Sequence, residues 1–179
     1  MELIVIGLTG SISCYKILDL VSKMSQRGYT VQGVLTHGAL QFIQPLSLEY
    51  LTGIPPVLPD IQQVNNPDHI GIADKTRLFL VAPATANIIG KLAHGIADDS
   101  LTTLALAIPI QVPRLLAPAM NHRMFSHPLV QQNLKILEET GWQIIPPGSG
   151  HLACGHEGEG RLAEPSQILE FIEKTLSFS

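Results

Sequence analysis

Short apolar runs alternate along this chain with segments whose apolar residues recur every three to four positions. Leu3-Ile4-Val5-Ile6 is a continuous apolar run of strand length, and Leu78–Val81 with the mainly apolar Thr30–Leu35, Arg114–Ala117 and Trp142–Ile145 are of strand length too. Uninterrupted apolar strands belong to sheets covered on both faces. Between Ile12 and Arg27, Ile17, Leu18, Leu20, Val21 and Met24 share one face of a helix, and Gly28 ends it. Thr85–Ala93, Asp99–Ala107, His127–Thr140 (closed by Gly141) and Pro165–Leu176 also read as helices. Residues 39–53 read as one or two short helices interrupted by Pro45. Residues 54–69, with Pro55, Pro56, Pro59 and Pro67, and the Gly- and Pro-rich stretch 146–165 read as irregular loops.

Strands alternating with helices predict an α/β domain with a mainly parallel sheet. At ~150 residues per domain, residues 1–179 are expected to form one. Ligands of such sheets bind at the carboxyl ends of the strands, which selects residues 7–13, 36–42, 82–87 and 117–124. Gly7-Leu8-Thr9-Gly10-Ser11-Ile12-Ser13 is a small-residue turn into a helix whose N–H groups suit a phosphate. It matches neither the dinucleotide glycine pattern nor a P-loop, and a plain strand–helix turn remains open. In Ala82-Pro83-Ala84-Thr85-Ala86-Asn87, Pro83 is expected to stop the strand and Thr85 to cap the next helix, with the Asn87 amide nearby. Small side chains there let a flat ligand approach the backbone. Ala117-Pro118-Ala119-Met120-Asn121-His122-Arg123-Met124 is built alike: Pro118 ends a strand, and Asn121 offers amide donors to a carboxylate. Met120 and Met124 suit an aromatic cofactor or an ordinary core.

Composition narrows the function. The chain is 45% hydrophobic and 15% charged, against a usual ~25% charged. That excludes disorder and points to surface hidden in subunit contacts. A net charge of −4 and a pI near 5.9 argue against nucleic acid, which needs a basic face. Cys14 and Cys154 give at most one bridge, not a disulfide framework. Met1-Glu2 leads straight into a strand, without the basic start of a signal peptide, and no apolar run reaches the ~18 residues of a membrane span. The expectation is a cytoplasmic protein with no membrane partner. His69, at the end of the proline-rich loop, is a candidate acid–base or a solvated loop histidine. The stretch Gly150–Arg161 is a candidate flap bearing the Cys154 thiol; His151, Cys154, His156 and Glu157 lie too close together for a tetrahedral metal cage, so no metal is expected.

Together and in order, these segments resemble the homo-oligomeric flavin-containing cysteine decarboxylases, within them the branch acting on 4′-phosphopantothenoylcysteine. The resemblance spans about residues 3–165. It rests on Gly7–Ile12, His69-Ile70, Ala82–Asn87, Lys91–Asp99, Pro118–Asn121 with Met124, Leu152-Ala153-Cys154-Gly155 and Gly160–Pro165. It implies a Rossmann-like (flavodoxin-like) three-layer fold, bound FMN, and trimers or dodecamers built from trimers, with the cofactor between subunits. Carried over by position, Gly10, Ser11, Ile12, Thr36, Thr85, Ala86 and Asn87 line the FMN. Asn121, Met124, Ala153 and Cys154 meet the substrate, and His69, Asn121 and Cys154 are catalytic. The implied reaction is decarboxylation to 4′-phosphopantetheine in coenzyme A biosynthesis: oxidation at the thiol carbon gives a thioaldehyde that accepts the electrons released with CO2, and the resulting enethiol is then reduced. Related readings are a peptidyl-cysteine decarboxylase, which is expected to lack the flap cysteine, a flavin prenyltransferase, and a non-catalytic FMN-binding subunit. Three segments depart from the family pattern: Gly71 and Asp74 replace a glutamate and a basic residue, Phe125 replaces a tryptophan, and Ser13-Cys14 replaces a small pair.

Overall fold

A computed structural model of the chain describes residues 3–60, 69–151 and 157–177. Strands β1 (Leu3–Leu8), β2 (Thr30–Leu35), β3 (Thr76–Ala84), β4 (Arg114–Pro118) and β5 (Trp142–Ile144) form one parallel sheet in the order β2-β1-β3-β4-β5. Its helices are α1 (Cys14–Gln26), α2 (Pro45–Thr52), α3 (His69–Lys75), α4 (Ala86–Ala93), α5 (Ser100–Ala107), α6 (His122–Phe125), α7 (Pro128–Glu139) and α8 (Pro165–Ser177).

Side-chain alternation divides the interior in two. Ile4, Ile6 and Leu8 of β1, Leu78 and Leu80 of β3 and Leu115 of β4 join one core, with Ile17 and Leu20 of α1, Leu48 of α2 and Ile168 and Ile172 of α8. The opposite face sends Val5, Phe79, Val81 and Leu116 into a second core, with Ile88 of α4, Leu101 and Leu104 of α5 and Leu134 of α7. The result is the expected three-layer α/β fold of flavodoxin-like strand order. Gly7 lies in β1 rather than in the turn after it. A Cβ there would stand 2.3 Å from Leu101 Cδ1, so the missing side chain lets α5 pack onto the sheet.

Several expectations need correction. Pro83 and Pro118 do not stop their strands: Pro83 is the penultimate residue of β3 and Pro118 the last of β4, where the β3–β4 ladder shifts register between Val81 and Ala84 and a missing N–H costs little. Pro45 does not interrupt a helix; it opens α2 from the first turn, after a short 3-10 turn at Ala39–Gln41. His69 starts α3 instead of ending a loop, and α6 was not foreseen. Residues 146–165 are not wholly irregular: β6 (Gly148–His151) and β7 (Glu157–Arg161) pair antiparallel. Pro67 and the rest of 61–68 lie outside the described residues.

Candidate active site

The strand order reverses between β1 and β3, and at such a switch point the loops after the two strands part to leave a crevice. Here the turn after β1 meets both neighbours. Gly10 and Gly38 touch backbone to backbone: a Cβ on Gly38 would come within 2.9 Å of Gly10 Cα. Thr36 braces the same junction, its hydroxyl donating to Leu8 O at 3.1 Å and accepting the Ala39 N–H at 3.3 Å. Toward β3, the buried Thr9 hydroxyl donates to Pro83 O at 2.6 Å and accepts the Thr85 N–H at 3.2 Å.

These bonds set the N-termini of α1 and α4 side by side. Neither helix has an acidic residue in its first turn, and the residue before α1, Ser13, makes no side-chain cap. Thr85 caps α4 as expected, accepting the Ile88 N–H. The N–H groups of a first helical turn lack partners within the helix and carry its positive dipole end. Gly10 and Asn87 are exposed there, Ser11 and Ala86 are half-buried, and Ile12 is exposed. A phosphate with an apolar ring system fits this set: orphan amides for the anion, small side chains and Ile12 for the ring. Lys16, one turn into α1, is engaged by Glu164 at 2.8 Å, and that hydrogen bond holds the Glu164 carboxyl below the usual carboxylate range.

Asn121 stands beyond β4, next to the end of β3, because Ala84 pairs with Pro118 and Ala84 O accepts the Ala119 N–H at 2.9 Å. Its Oδ1 accepts the Arg123 N–H at 2.8 Å and caps α6. Met124, at the end of α6, is 49% exposed, whereas Met120 is partly buried against the second core. The β6–β7 hairpin docks on this segment: the Met120 N–H donates to Gly160 O at 2.8 Å. Gly160 has φ +125°, and a Cβ on it would lie 2.6 Å from Met120 O. Gly160→Ala therefore combines backbone strain of about 1–3 kcal/mol with a clash at the hairpin's anchor. The expected result is a ~10-fold or larger loss of turnover with flavin affinity retained and faster proteolytic cleavage within 148–161.

His69 is exposed on α3, which packs against α5. Ala153 and Cys154 lie outside the described residues; the last described pair of the hairpin, His151 opposite Glu157, flanks them. Cys14 is a buried free thiol donating to Thr9 O at 3.1 Å, and burial pushes its pKa up to about 11. Two residues with clear structural roles escaped the sequence reading. For Thr9 the signal in the sequence is a threonine between two glycine positions, Gly7 and Gly10. Gly160 was hidden in a run of glycines.

A family model described as Flavoprotein matches residues 1–177. The chain is 42% identical over 176 residues to a probable phosphopantothenoylcysteine decarboxylase of Streptococcus mutans, covering 97% of this chain and 98% of that protein. It is 44% identical over 174 residues to the coenzyme A biosynthesis bifunctional protein CoaBC of Bacillus subtilis, covering 96% of this chain but 42% of that longer protein. Among solved structures, a cysteine-to-serine mutant of a PPC decarboxylase complexed with pantothenoylaminoethenethiol superposes with a TM-score of 0.87, at 29% identity over 98% of each chain. The FMN-binding protein AtHal3 gives 0.83, at 30% identity over 99% of this chain and 98% of its own.

Proposed function

Because the chain belongs to the flavoprotein family, we propose that it is an FMN-dependent carboxy-lyase converting 4′-phosphopantothenoylcysteine to 4′-phosphopantetheine, a step of coenzyme A biosynthesis. The observation that carries this reading is the junction of β3 and β4. Ala84 pairing with Pro118 sets the α4 start at Thr85, the proposed phosphate seat, beside Asn121, the proposed carboxylate grip. Whole-length similarity to a relative named for this reaction supports it.

Bound FMN supplies the two-electron redox chemistry that lets an otherwise unactivated cysteinyl carboxylate leave as CO2. The chain's own residues bind, orient and move protons. The α1 and α4 N-termini, with Gly10, Ser11, Ile12, Thr36, Ala86 and Asn87 around them, seat the cofactor. Asn121 grips the substrate carboxylate through its NH2 edge and holds it in one orientation, with Met124 alongside. His69 exchanges a proton near neutral pH. Cys154, next to Ala153 in the segment between β6 and β7, gives the last proton.

The assembly in this reading is a homo-oligomer built from trimers. Ile12, Tyr15 and Leu46 are exposed on the α1–α2 side of the sheet, whereas Ile70, Leu106 and the 81% exposed Ile110 lie on the α3–α5 side. Two different apolar patches on opposite faces suit a head-to-tail contact, which closes into a ring. Such a contact would carry His69, next to Ile70, toward a neighbour's cofactor site. No helix of the described residues is long and apolar enough to cross a membrane. One preparation tests the whole reading. The purified chain should be yellow with bound FMN, sediment as a multiple of three, and release CO2 from 4′-phosphopantothenoylcysteine. A colourless monomer that takes up no FMN, or a flavin-loaded protein without turnover, would sink it.

A further inference from the structure

We propose that Thr9, which touches no ligand itself, is the positioning residue that fixes the spacing of the α1 and α4 N-termini and so sets the preference for a phosphorylated flavin; this rests on the FMN reading above. The β1–β3 ladder ends at Gly7 opposite Val81. Beyond that pair the two loops diverge, and Thr9 links them. Its side-chain end belongs to the β3–α4 loop: Oγ1 donates to Pro83 O at 2.6 Å, accepts the Thr85 N–H at 3.2 Å, and lies 3.3 Å from Thr85 Oγ1. Its carbonyl end belongs to the α1 turn, accepting the Ser11 N–H at 2.8 Å and the Cys14 thiol at 3.1 Å. Thr9 is 2% exposed, and Cys14, with its raised pKa, remains a protonated donor at neutral pH.

The consequence is geometric. A phosphate held by amides from two helices needs both sets within hydrogen-bond reach at once. Deleting the Thr9 hydroxyl leaves Pro83 O and the Thr85 N–H without their partner and frees the α4 N-terminus to shift relative to α1. The isoalloxazine ring and ribityl chain, which rest on side chains rather than on amides held jointly by the two helices, depend on that spacing far less. Loss of one or two charge-assisted bonds corresponds to about a 10- to 100-fold loss of affinity, confined to ligands that carry the phosphate.

The test is fluorescence titration of the full chain, freed of flavin, with FMN and with riboflavin, for wild type, Thr9→Val and Thr9→Ser. Wild type should prefer FMN. Thr9→Val, which keeps the shape and removes the hydroxyl, should lose about 10- to 100-fold of FMN affinity and leave riboflavin affinity unchanged. Thr9→Ser, which restores the hydroxyl, should recover the wild-type preference. If Thr9→Val does not fold, Thr9→Ala carries the same expectation without a methyl against the Pro83 carbonyl. A hydroxyl-less variant that keeps the full preference, or that loses both ligands equally, overturns the proposal, as does a serine variant resembling valine. A wild type that binds riboflavin as tightly as FMN overturns the phosphate reading beneath it.

Discussion

Asn121→Asp is expected to abolish CO2 release while leaving FMN bound and the fold intact. The substitution separates two roles of one side chain. As the cap of α6, Asn121 needs only an oxygen facing the Arg123 N–H, now 2.8 Å away, and aspartate is an equally good cap. As the grip on the substrate, it needs the NH2 edge, and aspartate replaces that donor with a negative charge beside a negative carboxylate. At ~4 Å and an effective dielectric near 20, the repulsion is about 4 kcal/mol, or roughly a thousand-fold in rate. Steady-state CO2 release and an FMN titration, measured on the same preparation, read the two roles apart. If Asn121 serves only as a helix cap, the aspartate variant turns over at close to the wild-type rate.

The sheet and its helices were legible because they rest on signals summed over many residues. Ile17, Leu20, Val21 and Met24 repeat the helical period, and all four are buried; the β1, β3 and β4 runs are apolar on both faces and feed two cores. Thr85 was legible as a cap because a hydroxyl residue before an apolar helix has few other uses. What failed depended on fewer residues or on partners distant in sequence. The helix at His69–Lys75 spans 7 residues, includes Gly71 and buries only Ile72 and Ala73, which is too little for a period to emerge. The β6–β7 pair is glycine-rich and lacks the β-branched and aromatic residues that mark strands, so only its pairing identifies it. Proline reads as a strand stop because it lacks an N–H, yet Pro83 and Pro118 occupy positions where the ladder is already breaking. The importance of Thr9 lies in Pro83 and Thr85, 74 and 76 residues away.

The β6–β7 pair links the segment that includes Cys154 to the rest of the site. β7 is held to the Asn121 segment through Gly160 and Met120. Arg161 lies 3.3 Å from Glu164, which also binds Lys16 near the start of α1. The β6–β7 pair is thus tied to both the proposed carboxylate grip and the proposed cofactor seat, and its strands flank in sequence the segment that includes Cys154.

Cys154→Ser is expected to divide the reaction in two. Loss of CO2 needs the cofactor's redox chemistry and a gripped carboxylate; no step of it calls on a thiol from the hairpin. Reducing the resulting enethiol does require a proton donor. An ordinary cysteine, with a pKa near ~8.5, is mostly protonated at neutral pH and still acidic enough to give that proton, whereas a serine hydroxyl is a far weaker acid. The serine variant should therefore release about one equivalent of CO2 per bound FMN, accumulate the enethiol and form almost no 4′-phosphopantetheine. Under anaerobic conditions the visible absorbance of the cofactor should stay bleached. A solved structural neighbour pairs the same kind of substitution with an enethiol: a cysteine-to-serine PPC decarboxylase complexed with pantothenoylaminoethenethiol. Quantifying CO2 and thiol product in a single turnover, by mass spectrometry, decides the matter. If Cys154 only packs within a glycine-rich loop, the two products of the serine variant will rise together at the wild-type ratio.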